Sequence, residues 1–186
     1  MTTETRENST GIQQGKMYTL ITNDENTHHI PENIASMIGI VRNVMDMDEE
    51  DDDDEDIDED RTIPLPNINT AVLNDIIIYC EYYITHTMPE PPKPLNKKLK
   101  TFFEEQNVMW YYDYADNMSE EHLFHVMLGA NYMDIQPLLN LLCAYVGDVV
   151  KTKSPEEIRT LFNIENDFSP EEEAAIREEN KWCEEL

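Results

Sequence analysis

TKSPEEIRTLFNIENDFSPEEEAAIREENKWCEEL, residues 152–186, uses one device twice. Ser154-Pro155-Glu156-Glu157 and Ser169-Pro170-Glu171-Glu172 each place Ser at a helix N-cap, Pro at the first helical position and Glu at the third. The serine oxygen accepts from the third residue's amide, and the glutamate reaches back to the cap's own amide. Each capping serine contributes about 1 kcal/mol to its helix. Glutamates in the first turn also suit the positive end of the helix dipole. Two short helices are therefore predicted. Their apolar residues are few and large: Ile158, Leu161 and Phe162, then Ile164 and Phe168, then Ala174, Ala175, Ile176, Trp182 and Cys183. Helices below ~12 residues are marginal without tertiary packing. Either these helices fold back on a core, or they form a ledge whose aromatic residues enter another protein. From the residues alone the two readings stand even.

Upstream of this tail the pattern is that of a mixed domain. Residues 1–15 are polar and read as a disordered tail. Met17 to Ile21 is apolar-rich, Asn23-Asp24-Glu25-Asn26 is turn chemistry, and His28 to Ile30 reads as the return strand of a hairpin. Pro31 then opens a helix with Ile34, Met37, Ile38, Val41 and Met45 on one stripe. Residues 46–60 break it, because thirteen of the fifteen are Asp or Glu. Such a run repels itself and buries no apolar area, so a disordered loop is expected. Ile63-Pro64-Leu65-Pro66-Asn67 is held extended by two prolines, as in a short edge strand. Asn67 or Asn69 can cap the next helix, whose Val72, Leu73, Ile76, Ile77, Tyr79 and Cys80 predict a buried centre.

Residues 85–100 hold four prolines and four of the eight lysines, and read as a solvated crossing between two halves. From Phe102 onward the pattern is helical. Ser119 starts a helix with Leu123, Phe124, Met127, Leu128 and Asn131 on one side. Ile135, Leu138, Leu139, Leu142, Val146 and Val149 then form the cleanest stripe in the chain. The domain plan is a tail over 1–15, a core over 16–150 and C-terminal helices over 151–186.

Composition narrows the function classes. The formal net charge is −27, from 13 basic and 40 acidic residues. That balance argues against nucleic acid, against anionic membrane surfaces and in favour of basic partners. No stretch approaches the ~18 apolar residues of a membrane span, and the first twenty residues predict no signal peptide. Cys80, Cys143 and Cys183 are widely spaced, and Cys80 and Cys143 fall within apolar helical patterns that predict buried thiols. Reduced thiols point to a cytoplasmic and nuclear location. Chemistry-bearing motifs are missing. The five glycines are scattered, so no phosphate loop is expected. His122 and His125 share a predicted helix but no third metal ligand is spaced to join them. No cofactor, metal or catalytic residue is predicted, and an enzyme is not expected.

Three segments resemble the Skp family of adaptors. IPLPNINTAVL (63–73) is similar to the family's proline–asparagine joint from strand to helix and follows an acidic loop. GANYMDIQPLL (129–139) resembles a second signature, and residues 152–186 give the longest match. The likeness slips at WYYDYADNMSEE (110–121), so residues 96–118 take no detailed assignment from it.

The resemblance implies an α+β fold: a BTB/POZ-type core, a small sheet packed with helices, followed by two additional C-terminal helices. It implies an adaptor subunit of a Skp–cullin–F-box (SCF) ubiquitin ligase, with F-box proteins and a cullin as partners and bond-making chemistry supplied by other subunits. The alternative is a structural BTB/POZ module of a non-ligase F-box complex. The resemblance resolves the tail in favour of the ledge. Residue by residue, Asn131 and Tyr132 match the pair presented to the cullin, and Met37, Ile38 and Val41 fall in a second cullin-contact region. Ile158, Leu161, Phe162, Ile164, Phe168 and Trp182 match the F-box ledge, about half of them expected to touch the partner. Pro170 matches a proline that is hydroxylated and glycosylated in some protist members. The resemblance allows, without requiring, a homodimer when the chain is free of F-box protein.

Overall fold

A computed structural model describes residues 16–48 and 62–181. The tail over 1–15 and most of the acidic run lie outside the described residues. The chain divides into a core unit ending at Val146 and a C-terminal unit starting at Gly147.

The core unit opens with the expected hairpin, β1 (Met17–Thr22) and β2 (Thr27–Pro31), paired antiparallel from Met17↔Pro31 to Ile21↔Thr27. Glu25 takes the left-handed turn position, with φ 62. β3 (Thr62–Leu65) adds in parallel on the other side of β1, with Leu20 opposite Ile63. The sheet order is β2-β1-β3. Pro64 thus sits on an edge strand, where a missing N–H is tolerated. An α+β core with one small sheet is the architecture expected from the chain.

The stripe after Pro31 buries Ile34, Ile38 and Val41 as predicted, but not as one helix. α1 (Glu32–Ala35) stops, and α2 (Gly39–Asp48) restarts. Between them Met37 N–H bonds to Ile34 C=O and Ile38 N–H to Ala35 C=O, both at 3.0 Å. These are three-residue steps, which wind the chain tighter than an α-helix. Gly39, about 1 kcal/mol poorer than Ala inside a helix, opens the new one. α2 also extends to Asp48, two residues beyond the expected break at Asp46.

α3 (Thr70–Thr85) runs through the centre, and Asn69, not Asn67, caps it by accepting from Val72 N–H at 2.9 Å. The hairpin turn is tied to the same helix start. Asp24 Oδ1 accepts from Thr70 Oγ1 at 2.9 Å and from Thr70 N–H at 3.1 Å. The Asp24 carboxyl is held down at about 2, chiefly by the Thr22 hydroxyl and then by Thr70. α4 (Leu99–Glu105) and α5 (Trp110–Asp116) fill the span that sequence left unassigned. The Pro/Lys stretch before α4 is not simply solvated, because Met88, Pro91 and Leu99 are buried. The Tyr79 hydroxyl donates to Met88 Sδ at 3.9 Å, and the Tyr111 hydroxyl to the His86 carbonyl.

α6 (Glu120–Tyr132), capped by Ser119, seats on α3 through a face that the apolar stripe marked only at Leu123. Leu123, Val126, Gly129 and Ala130 are buried, while Leu128 is 66% exposed. A Cβ at Gly129 would meet Val72 Cγ1 at 2.8 Å, so the helices approach too closely there for a side chain. α7 (Gln136–Val150) buries Leu138, Leu141 and Leu142. Cys80 is buried, and burial pushes its thiol up to about 12. Cys143 is exposed on α7, against expectation, since Leu141 and Leu142 take the inward positions around it. His122 Nε2 lies 2.5 Å from Asp75 Oδ2, so it pairs with a carboxylate rather than with His125.

Three helices end on the same device. Asn107, Asp134 and Asn163 have φ of 56, 52 and 49 just past α4, α6 and α8 (Pro155–Leu161). In each, the next residue's N–H reaches five residues back: Val108 to Phe103, Ile135 to Ala130 and Ile164 to Arg159. These are Schellman turns closed by Asn or Asp, where glycine is the usual occupant.

Candidate partner-binding surfaces

The C-terminal unit holds α8 and α9 (Pro170–Glu179). Both capping boxes form. Glu157 N–H bonds to Ser154 Oγ at 3.2 Å and Ser154 N–H to Glu157 Oε2 at 2.8 Å. Glu172 N–H bonds to Ser169 Oγ at 3.3 Å and Ser169 N–H to Glu172 Oε2 at 2.9 Å. The Ser169 amide and hydroxyl hold the Glu172 carboxyl below its ordinary range. Two ion pairs then cross between the helices, Arg159 to Glu173 at 3.2 Å and Arg177 to Glu156 at 3.1 Å. Asn166 Nδ2 adds a bond to Glu173 Oε1 at 2.8 Å.

That polar frame fixes the helices while leaving their apolar residues outside. Neither helix buries a residue. Ile164 is 54% exposed, Phe168 47% and Ile176 42%. Ile158, Leu161 and Phe162 are half-buried. Ile164 owes its place to the Asn163 turn, and the Arg159 guanidinium lies 6.0 Å from the Phe168 ring centroid. Ile176 belongs to the same exposed set, although sequence reading did not carry it into the ledge. Trp182 lies outside the described residues. Pro170 is exposed at the first position of α9.

The core unit presents a second candidate surface where α2 begins and α6 ends. Asn131 is exposed and Tyr132 is 36% exposed. Leu128 stands one turn earlier and joins them, a surface residue that its apolar character disguised. Met37 is half-buried beside α2. Ile38 and Val41 are fully buried, so they support this surface from beneath and do not offer a face to a partner. The reason is the tight turn before Gly39, which aims both side chains into the core. Among the described residues no group of three or more metal-ligating side chains comes together.

Comparison with known proteins places these features in one group. The Skp1 family's tetramerisation-domain model matches residues 16–85, and its dimerisation-domain model matches residues 136–183. The chain belongs to the Skp1 family. A Tetrahymena thermophila protein named S-phase kinase-associated protein 1 homolog is 47% identical over 125 residues, covering 66% of this chain and 72% of that one. SCF ubiquitin ligase complex protein SKP1a of Dictyostelium discoideum is 36% identical over 165 residues, 89% of this chain and 94% of its own. The E3 ubiquitin ligase complex SCF subunit sconC of Emericella nidulans is 35% identical over 169 residues, 91% and 97% of the two chains. In this Skp1-family chain the first model spans the sheet through α3, a BTB/POZ-type core, and the second spans α7 to α9.

Proposed function

We propose that this Skp1-family chain is the adaptor subunit of an SCF-type E3 ubiquitin ligase, bridging F-box substrate receptors to a cullin scaffold. The relatives named as SCF subunits support the complex, and they do not support the non-ligase alternative. The F-box helices occupy the ledge of α8 and α9, and the cullin occupies the Leu128–Asn131–Tyr132 corner with Met37. The observation that carries this reading is the set Ile164, Phe168 and Ile176, held outside by caps and ion pairs rather than buried. Full burial of such a side chain is worth about 1.5–3 kcal/mol and about half of that remains to be gained at each of these half-exposed residues, so the three together supply the anchors of a standard interface. In this role the chain joins proteins, and bond-making belongs to other subunits. Free of F-box protein, two copies of the chain pair at high concentration, and the monomer leaves the ledge open. Cytosol and nucleus are the proposed compartments, in keeping with widely spaced cysteines.

The test is separation of the two bindings. Introducing charges at the corner with Asn131→Asp and Tyr132→Lys should abolish cullin binding in a pull-down and spare the F-box protein. If both partners still bind, the corner is wrongly assigned. Pro170 is treated the same way: its exposure leaves it reachable by a modifying enzyme, and intact mass of protein from the native cell should show an added oxygen and sugar. An unmodified mass removes that proposal.

A further inference from the structure

Gly39 is buried at the start of α2, and its backbone φ is not positive, so the chain path there does not require glycine. Space does. A Cβ at this position would lie 2.6 Å from both Asp134 Cβ and Asp134 Oδ2, and 2.9 Å from Asp134 Cγ. Side-chain carbons do not approach that closely, so the bare Gly39 backbone is the seat on which Asp134 rests.

Asp134 is itself fixed from the other side. It is the left-handed residue that closes α6, with its N–H on the Asn131 carbonyl at 3.2 Å and the next residue's N–H on Ala130 at 2.9 Å. Asp134 Oδ1 accepts from Gln136 Nε2 at 3.0 Å. Arg42 Nη2 stands 3.9 Å from Oδ2, a long and exposed ion pair that contributes little. The contact is therefore one of shape, aided by a carboxylate at the positive end of α2. It joins the two halves of the candidate cullin corner: Met37 lies just before Gly39, and Asn131 and Tyr132 immediately precede the Asp134 turn.

We infer that Gly39 and Asp134 are a positioning pair, a pin that sets Asn131 and Tyr132 in register with the start of α2 for cullin docking. The inference rests on the proposed cullin role of this corner. Neither residue needs to touch the cullin. A methyl group added at position 39 pushes the Asp134 turn outward and carries Tyr132 with it.

The full-length chain is titrated calorimetrically with a cullin and, separately, with an F-box domain. Gly39→Ala should weaken cullin binding by roughly tenfold, the scale of one displaced anchor, and leave F-box affinity unchanged within about twofold. Asp134→Gly alone should weaken cullin binding less. The double variant should bind no worse than Asp134→Gly, because removing the side chain frees the space that the added methyl needs. Asp134→Asn keeps the shape and should bind the cullin as the native chain does. Native-like cullin binding by Gly39→Ala, or additive losses in the double variant, would overturn the pin. If Gly39→Ala fails to fold, as read by circular dichroism, the double variant decides: recovered folding and binding support the pin, and no recovery overturns it. A native chain that binds the F-box domain and ignores the cullin overturns the corner's assignment itself.

Discussion

Tyr79 and Phe168 are large aromatic residues handled in opposite ways by the two units. Tyr79 has no exposed surface, and its ring centre lies 5.8–5.9 Å from those of Tyr83, Tyr111 and Tyr114. Burial pushes its hydroxyl far above the ordinary phenol range. Phe168 is 47% exposed, and its named ring neighbour is the Arg159 guanidinium. The core unit stabilises itself by closing rings on rings. The C-terminal unit is held by caps and ion pairs, so its apolar surface is left available. On the proposed reading, stability and binding draw on different residues in this chain.

The contrast can be broken by substitution. Tyr79→Ala should cost about 3–5 kcal/mol of stability in urea unfolding, as a large residue removed from a closed core. Phe168→Ala should change stability by less than about 0.5 kcal/mol. The same Phe168 change should cost about 2 kcal/mol or more of F-box affinity, roughly thirtyfold by calorimetry. Equal destabilisation by the two changes would show that Phe168 is a core residue and end the contrast.

A smaller effect sharpens the core side alone. Asp24 has a folded value near 2, below the ordinary carboxylate value of about 4. The unfolded chain therefore takes up this proton first as pH falls. The stabilisation is full above about pH 4 and is lost as pH falls through about 2. Asp24→Asn should be less stable than the native chain at pH 7, and the two unfolding curves should converge towards pH 2. A constant gap across that range would mean that Asp24 does not hold the hairpin turn to α3 through its charge.

Much of this was legible in the sequence because it depends on local chemistry. The hairpin follows from the apolar-rich run Met17–Ile21 ahead of the turn chemistry at Asn23–Asn26, and both Ser-Pro-Glu-Glu caps follow from spacing alone. The α6 face was legible only at Leu123, since Gly129 and Ala130 complete it by being small, and an apolar stripe counts only large residues. That error hid Leu128, which turned out to belong to the surface beside Asn131 and Tyr132. The Schellman turns were missed for a related reason: Asn107, Asp134 and Asn163 do a glycine's work and leave no glycine signal. Ile38 and Val41 were placed on the right stripe but assigned to the surface, because the turn before Gly39 is a tertiary matter. Of the six residues read as the ledge, Ile164 and Phe168 are exposed, Ile158, Leu161 and Phe162 are half-buried, and Trp182 lies outside the described residues.

The account depends on an apolar ledge that water reaches until a partner arrives. The direct measurement is methyl NMR on the monomeric chain, with isoleucines labelled and a paramagnetic solvent probe added. Ile164 and Ile176 should relax strongly in the free chain and lose that response when an F-box domain is added, while Ile76 stays shielded throughout. Shielded Ile164 and Ile176 methyls in the free chain, or a response unchanged at saturating F-box domain, would contradict the claim.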